Sequence, residues 1–186
     1  MTSRIKVVGI PGSLLDDSYN RALLESARGI TDDVELDIAE IDDIPLFDPD
    51  LEAGGDPAAV VHFKRAIYEA DAVLIATPES QHGVPGPLKN ALDWASRPPG
   101  KGPLTGKPTA IMGATTGKYG TARAQEQLRQ TLIYNNCPMV KVPEVLVSEA
   151  QNKVNEDGEF VDGPTLKFVG ELVEALRELT LQTRSA

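Results

Sequence analysis

Three polar, glycine-bearing stretches carry the residues whose types and spacing suit binding chemistry. The first runs from Gly12 to Arg21 and sets Ser13, Ser18 and Asn20 between an apolar run and a helix-like one. Unpaired N–H groups at a helix start attract an anion such as a phosphate. Hydroxyl and amide side chains add donors, and Gly12 lets the chain turn without a Cβ clash. The same residues also read as a plain helix cap, with Ser18 or Asn20 satisfying the first-turn amides. The second stretch begins at Thr77 and holds Pro78, Glu79, Ser80, Gln81, His82 and Gly83. It leads into a helix with Leu88, Ala91, Leu92 and Ala95 at i, i+3, i+4 and i+7. The third, Gly113 to Tyr119, looks at first like a nucleotide-phosphate loop. Only three residues separate Gly113 from Gly117 where that motif has four, and Tyr119 stands where a Ser or Thr would hold magnesium. Nucleotide hydrolysis is therefore excluded. Gly9 and Gly12 likewise lack the GxGxxG spacing of a dinucleotide fingerprint.

Loops of this kind need strands behind them, and the hydrophobic pattern supplies five candidates. Arg4–Ile10 is short, β-branched and stopped by Pro11-Gly12. Val34–Ala39 alternates apolar with acidic residues, and Asp71–Thr77 is the most apolar stretch, which suits a central strand. Thr109–Met112 is a fourth strand, and Met139–Val147 offers one or two short pieces broken by Pro143. Between them lie helical patterns: Leu23, Leu24, Ala27 and Ile30; Ala58–Ala70; the Leu88–Ala95 run; and Thr121–Tyr134. Ile41–Pro57 and Pro98–Pro108 read as surface loops, and Gln151–Gly163 as a polar loop or hairpin. Pro164 suits the first turn of a last helix carried by Val169, Leu172, Val173, Leu176 and Thr180. Strands alternating with helices mean right-handed βαβ units. The expected fold is α/β: a single domain over residues 1–186, a flavodoxin-like, doubly wound, five-stranded parallel sheet of order 2-1-3-4-5 with helices on both faces. In that order the three polar loops follow strands one, three and four and converge at the switch point, where such sheets bind ligands.

Composition narrows the function classes. The chain has 186 residues, 41% hydrophobic and 25% charged, which is ordinary globular composition. A formal charge of −10 argues against nucleic acid and against an anionic membrane. One cysteine, Cys137, and two histidines, His62 and His82, leave no basis for a disulfide or a zinc site, so no metal is expected. Val7–Ile10 is too short for a secretory signal and Ala72–Ala76 too short for a membrane span. A soluble, cytoplasmic protein is expected.

The second stretch also resembles the NADPH-dependent FMN reductase family, the flavodoxin-like quinone, chromate and azo-dye reductases. That family carries a GSLRxxSxN phosphate loop, a PEYN loop and a PGxLKNAxDWxSR helix. This chain keeps Gly12-Ser13-Leu14, Ser18 and Asn20, then Pro78-Glu79, Pro85-Gly86, Leu88-Lys89-Asn90-Ala91, Asp93-Trp94 and Ser96-Arg97. Ala122-Arg123-Ala124-Gln125 with Leu128-Arg129-Gln130 resembles the family's RAQxxLRQ helix, and Gln151-Asn152-Lys153-Val154 its QNKV loop. The likeness runs in order over nearly the whole chain. It implies an FMN whose phosphate sits on Ser13, Leu14, Leu15, Ser18, Tyr19 and Asn20. Its ring would lie on Pro78, Glu79, Ser80 and Gln81, with His82 and Thr115 nearby, and Gly83 would also belong to the cofactor site. NADPH or NADH would be the co-substrate, and a quinone, flavin, azo dye or chromate the acceptor. The flavin carries the chemistry in such enzymes, so no catalytic side chain is named. The resemblance further implies a homodimer or homotetramer, with Arg97 and Arg123 expected to pair across a subunit interface.

Departures from the family pattern keep other readings open. Leu15 stands where the phosphate loop has arginine, Asp16 and Asp17 follow it, and Ser80 and Gln81 replace the Tyr-Asn of PEYN. FMN binding weaker than is typical of the family is expected. An electron carrier or sensor, or a member that has lost its flavin, remain alternatives. Bland readings stand beside the sharp ones. His82 contacts flavin or substrate, or is a solvated loop residue. His62 is a surface residue, Trp94 packs in the core, and Cys137 is a buried, inert thiol. Lys89, Asn90 and Asp93 fix their helix and the loop before it.

Overall fold

Residues 4–185 are described here from a computed structural model. Five strands, β1 (Ile5–Pro11), β2 (Val34–Ile38), β3 (Ala72–Ala76), β4 (Thr109–Ala114) and β5 (Val145–Val147), form one sheet of order β2-β1-β3-β4-β5. Every pairing in it is parallel. Six α-helices connect and cover it: α1 (Tyr19–Ala27), α2 (Pro49–Ala53), α3 (Ala58–Glu69), α4 (Gly86–Ala95), α5 (Ala122–Tyr134) and α6 (Gly163–Arg184).

Alternation along the strands builds two cores. Ile5 and Val7 of β1, Leu74 of β3 and Met112 of β4 pack with Leu23 and Leu24 of α1 and Leu172 and Leu176 of α6. On the other face, Val8 and Ile10, Val73 and Ile75, and Ile111 meet Phe63 and Ile67 of α3, Leu92 of α4 and Leu128 of α5. β3 is buried at every position, as a central strand covered on both sides must be.

The expected order and the helices on both faces are present, and several boundaries move. Ile30 is not on the buried face of α1: the helix ends at Ala27, Gly29 turns the chain at φ +76°, and Ile30 is partly exposed. The Ile41–Pro57 loop contains α2, whose start is set by Asp48 accepting from the Asp50 N–H at 2.8 Å and by Pro49 in the first turn. β4 runs on through Gly113 and Ala114. Gly113 is obligatory there, because a Cβ would collide with the Thr77 carbonyl oxygen and the Thr121 hydroxyl. Of the Met139–Val147 stretch only Val145–Val147 is a strand, with a single bridge from Met139 to Thr109. After it, Ala150–Asn152 forms a short 3-10 turn, and Val154 and Phe160 close a small antiparallel hairpin. Asp162 caps α6, accepting from the Thr165 N–H at 2.9 Å.

Trp94 is fully buried, edge-on to Phe47, and donates its indole N–H to the Pro45 carbonyl at 2.8 Å. His62 is on the surface. Cys137 is buried, and burial pushes its thiol up to about 11. Asn90 corrects one expectation. It does not brace the loop before its helix; it holds the segment after β2, accepting from the Phe47 N–H at 2.7 Å and donating to the Pro45 carbonyl at 2.8 Å. Lys89 and Asp93 pair on the exposed face of α4 at 2.6 Å. Among the described residues no helix is long and apolar enough to cross a membrane.

Candidate functional site

The exits of β1, β3 and β4 meet at the carboxyl edge of the sheet, and a glycine eases the meeting. Gly12 donates its N–H to the Ala76 carbonyl at 2.8 Å. A Cβ on Gly12 would lie 3.0 Å from both Leu88 and Pro78 side-chain atoms, so a larger residue would press the first and second loops apart by a few tenths of an ångström.

Within the first loop few amides are used. The Leu15 N–H donates to the Ser13 hydroxyl and the Asn20 N–H to the Ser18 hydroxyl, each at 3.2 Å. The backbone N–H groups of Ser13, Leu14, Asp16, Asp17, Ser18 and Tyr19 have no acceptor among the described residues. A run of free amides ending in a helix N-terminus fits a phosphate. The cap reading of Ser18 holds, and its hydroxyl sits beside these free amides. Asn20 acts differently from a phosphate donor. It is buried, its Nδ2 donates to the Ala114 carbonyl at 3.0 Å and its Oδ1 accepts from the Ala114 N–H at 2.9 Å. Its side chain is thus a clamp from α1 to the end of β4, passing over β3, and it holds the cradle in place.

Charge around the cradle is adverse. Leu15 is 73% exposed and touches no core; Asp16 and Asp17 are exposed. Arg21, the loop's cation, is taken by Glu40 in a two-point ion pair. A hollow of about 230 Å³ lies between Ser13–Asp16 and Glu40–Asp42. A larger groove of about 930 Å³ runs along the outside of α1, toward the Val154–Phe160 hairpin. Its walls include Asp16, Asp17, Glu25, Glu156, Asp157 and Glu159, a lining that repels anions, so size is a poor guide here and the donor chemistry of the loop decides.

The second loop is a tight reverse turn. Ser80 and Gly83 exchange backbone hydrogen bonds at 3.0 and 2.9 Å, and between them Gln81 and His82 both take positive φ, +49° and +63°. Two consecutive non-glycine residues in that region are strained, and such strain persists only where surroundings impose it. The surroundings are identifiable. The Val84 N–H donates to Gln127 Oε1 of α5 at 2.7 Å. Glu79 lays its carboxylate across the start of α5, accepting from the N–H groups of Arg123 and Ala124 at 3.0 and 3.2 Å and pairing with the Arg123 guanidinium at 3.1 Å. Thr121 occupies the usual capping position but sits at φ +67° and makes no side-chain cap. Glu79 supplies the cap from 44 residues away.

Of the residues expected at the site, Ser13, Leu14, Leu15, Ser18 and Tyr19 form one arc of the crevice. Pro78, Ser80, Gln81, His82 and Gly83 form the next. Thr115 opens the third loop, its N–H donating to the Val147 carbonyl and its carbonyl accepting from Ala150, at 3.0 and 3.1 Å. Asn20 and Glu79 act through structure. Within the chain, Arg97 pairs with Glu52 at 2.8 Å and Arg123 with Glu79 at 3.1 Å. The pairing and capping partners of Glu79, and Gln127, gave no local signal. The shifted carboxyl and ammonium of Asp71 and Lys107 lie at the opposite, amino edge of the sheet. Burial raises the Asp71 carboxyl, but the Lys6 N–H and Arg184 outweigh it and hold it low; burial lowers Lys107.

Comparisons with known proteins identify the family. The family model for NADPH-dependent FMN reductase matches residues 5–152. An NAD(P)H-dependent FMN reductase of Pseudomonas aeruginosa is 45% identical over 178 residues, 95% of this chain and 96% of that protein. A quinone reductase of Escherichia coli is 39% identical over 170 residues, 89% of this chain and 90% of that protein. Among solved structures, the flavoenzyme NAD(P)H:(acceptor) oxidoreductase FerB of Paracoccus denitrificans superposes with a TM-score of 0.84 at 34% identity, covering 96% and 98% of the two chains. With a family model that covers most of the chain and relatives at 39–45% identity over 89–95% of it, the chain belongs to the NADPH-dependent FMN reductases.

Proposed function

We propose that this chain binds FMN at the carboxyl edge of its sheet and serves as an NAD(P)H-dependent FMN and quinone reductase. One observation carries the reading: the amides from Ser13 to Tyr19, all free but that of Leu15, stand beside the strained, pinned turn Ser80–Gly83. The amides, with the Ser18 hydroxyl, hold the phosphate. Pro78, Ser80, Gln81, His82 and Gly83 form the platform for the flavin ring, with Thr115 at its far side. When bound, the flavin supplies hydride acceptance from NADPH or NADH and passes two electrons to a quinone, a second flavin, an azo dye or chromate. The residues' task is to bind and orient, and no side chain is assigned a proton transfer. The whole chain acts as one FMN-binding domain. We place it in the cytoplasm, the compartment that makes the reductant, as a homodimer or homotetramer.

Leu15, Asp16 and Asp17 favour loose flavin binding, which also keeps a weakly loaded carrier in view. The test is oxidation of NADH or NADPH with menadione as acceptor, with and without added FMN. Turnover that depends on FMN supports the reductase. Flavin binding without turnover would favour a carrier, and no flavin binding at all would reject both.

A further inference from the structure

Tyr119 is the one phenol on the third of the loops that meet at the crevice. It is 66% exposed, yet it is not free. The Arg123 guanidinium lies over its ring, 4.4 Å from the centroid. That guanidinium is fixed in turn by Glu79, whose carboxylate is only 10% exposed and whose chain neighbour is Ser80 of the strained turn. An exposed aromatic side chain ordinarily samples several rotamers, and ordering it costs free energy on binding. Here the ordering is already done, through a cation–π contact anchored by an ion pair and by the cap of α5. The sequence Ser80, Glu79, Arg123, Tyr119 ties the position of a flat ring to the platform on which the flavin rests.

From this we infer that Tyr119 is a substrate-contacting wall, a flat surface on which a planar, conjugated electron acceptor of the quinone class stacks, with Arg123 and Glu79 as its positioning residues. The inference rests on the flavin reading above. It assigns to Tyr119 a role in acceptor selection and none in holding the flavin phosphate, which lies on a different loop. Stacking has a consequence for selectivity. An octahedral inorganic acceptor such as ferricyanide has no flat face to offer, so the gain belongs to the planar acceptor alone.

The test uses the FMN-loaded full chain and the variants Tyr119→Ala, Tyr119→Phe and Arg123→Ala. Two quantities are read: the KM for menadione divided by that for ferricyanide, and the calorimetric affinity of the oxidised protein for menadione with no reductant present. Tyr119→Ala is expected to raise the ratio and weaken the calorimetric affinity by about 2- to 12-fold, the range for losing one aromatic stacking partner. Tyr119→Phe keeps the ring and is expected to match the parent. Arg123→Ala leaves the ring present but unbraced, and an effect smaller than that of Tyr119→Ala is expected. A Tyr119→Ala ratio within twofold of the parent would overturn the inference, as would an equal loss of ferricyanide and menadione. A parent chain that fails to take up FMN would overturn the flavin reading and this inference with it, a result distinguishable because it appears before any variant is compared.

Discussion

Replacing Leu15 with arginine tests how the cradle holds an anion. Leu15 is 73% exposed, so its removal exposes no core. The loop around it carries Asp16 and Asp17, and its cation, Arg21, is neutralised by Glu40. A phosphate entering the cradle therefore gains backbone hydrogen bonds but meets two uncompensated carboxylates. A guanidinium–phosphate hydrogen bond contributes about 1.5–3 kcal/mol. Competition from the two aspartates, as exposed ion pairs, takes back up to about 1 kcal/mol. The net gain of about 1–2 kcal/mol corresponds to an FMN dissociation constant about 5- to 30-fold lower. Salt supplies a second reading. At about 0.05 M the aspartates act over more than ~10 Å, and at about 0.5 M they are largely screened. Parent FMN affinity is expected to hold or improve as salt rises, whereas that of Leu15→Arg falls. Quenching of flavin fluorescence on titration measures both. A variant constant within twofold of the parent, with the same response to salt, would refute the reasoning.

Three further outcomes follow from the geometry. Asn20→Ala strands the buried N–H and carbonyl of Ala114 and is expected to cost about 2–4 kcal/mol of stability in chemical denaturation, with FMN affinity lost in parallel. Gly113→Ala forces a methyl group against the unyielding Thr77 carbonyl, and a loss of at least about 3 kcal/mol, or failure to fold, is expected. Cys137 gives a pH signature: its thiol ionises near 9 when unfolded and near 11 when folded. Its contribution is present in full below pH 9 and is lost as pH rises toward 11, by roughly 2–3 kcal/mol. Cys137→Ala should remove that part of the alkaline slope, read from denaturation midpoints at stepped pH.

Sheet order and the convergence of the three loops were legible because they depend on local periodicity and a general topological rule. Two local signals pointed elsewhere than the structure. The Asp48-Pro49 start of α2 was hidden in a stretch rich in turn formers, and Ile30 continued an apolar spacing past the point where Gly29 ends the helix. Gly113 reads as a turn former but serves as a strand residue with no room for a side chain. The contacts that hold the site were not legible. Asn20 meets Ala114 across 94 residues and Glu79 meets Arg123 across 44, and neither pair shares an element or a motif. The cap made by Ser18 was legible, since Ser before a helical run is a local signal.

The Glu79 cap has a directional consequence. Among the helices that point their amino ends toward the crevice, α1 and α5 differ, although either could in principle welcome a negative group. One of these sockets is plugged by the protein's own carboxylate. A guest with a single charged tail is therefore keyed, like a two-pin connector with one pin blanked off: tail toward α1, uncharged body toward α5. Reversed insertion would set like charges against each other, so the handedness of entry, and with it the face a guest turns to its reaction partner, is decided before any close contact forms.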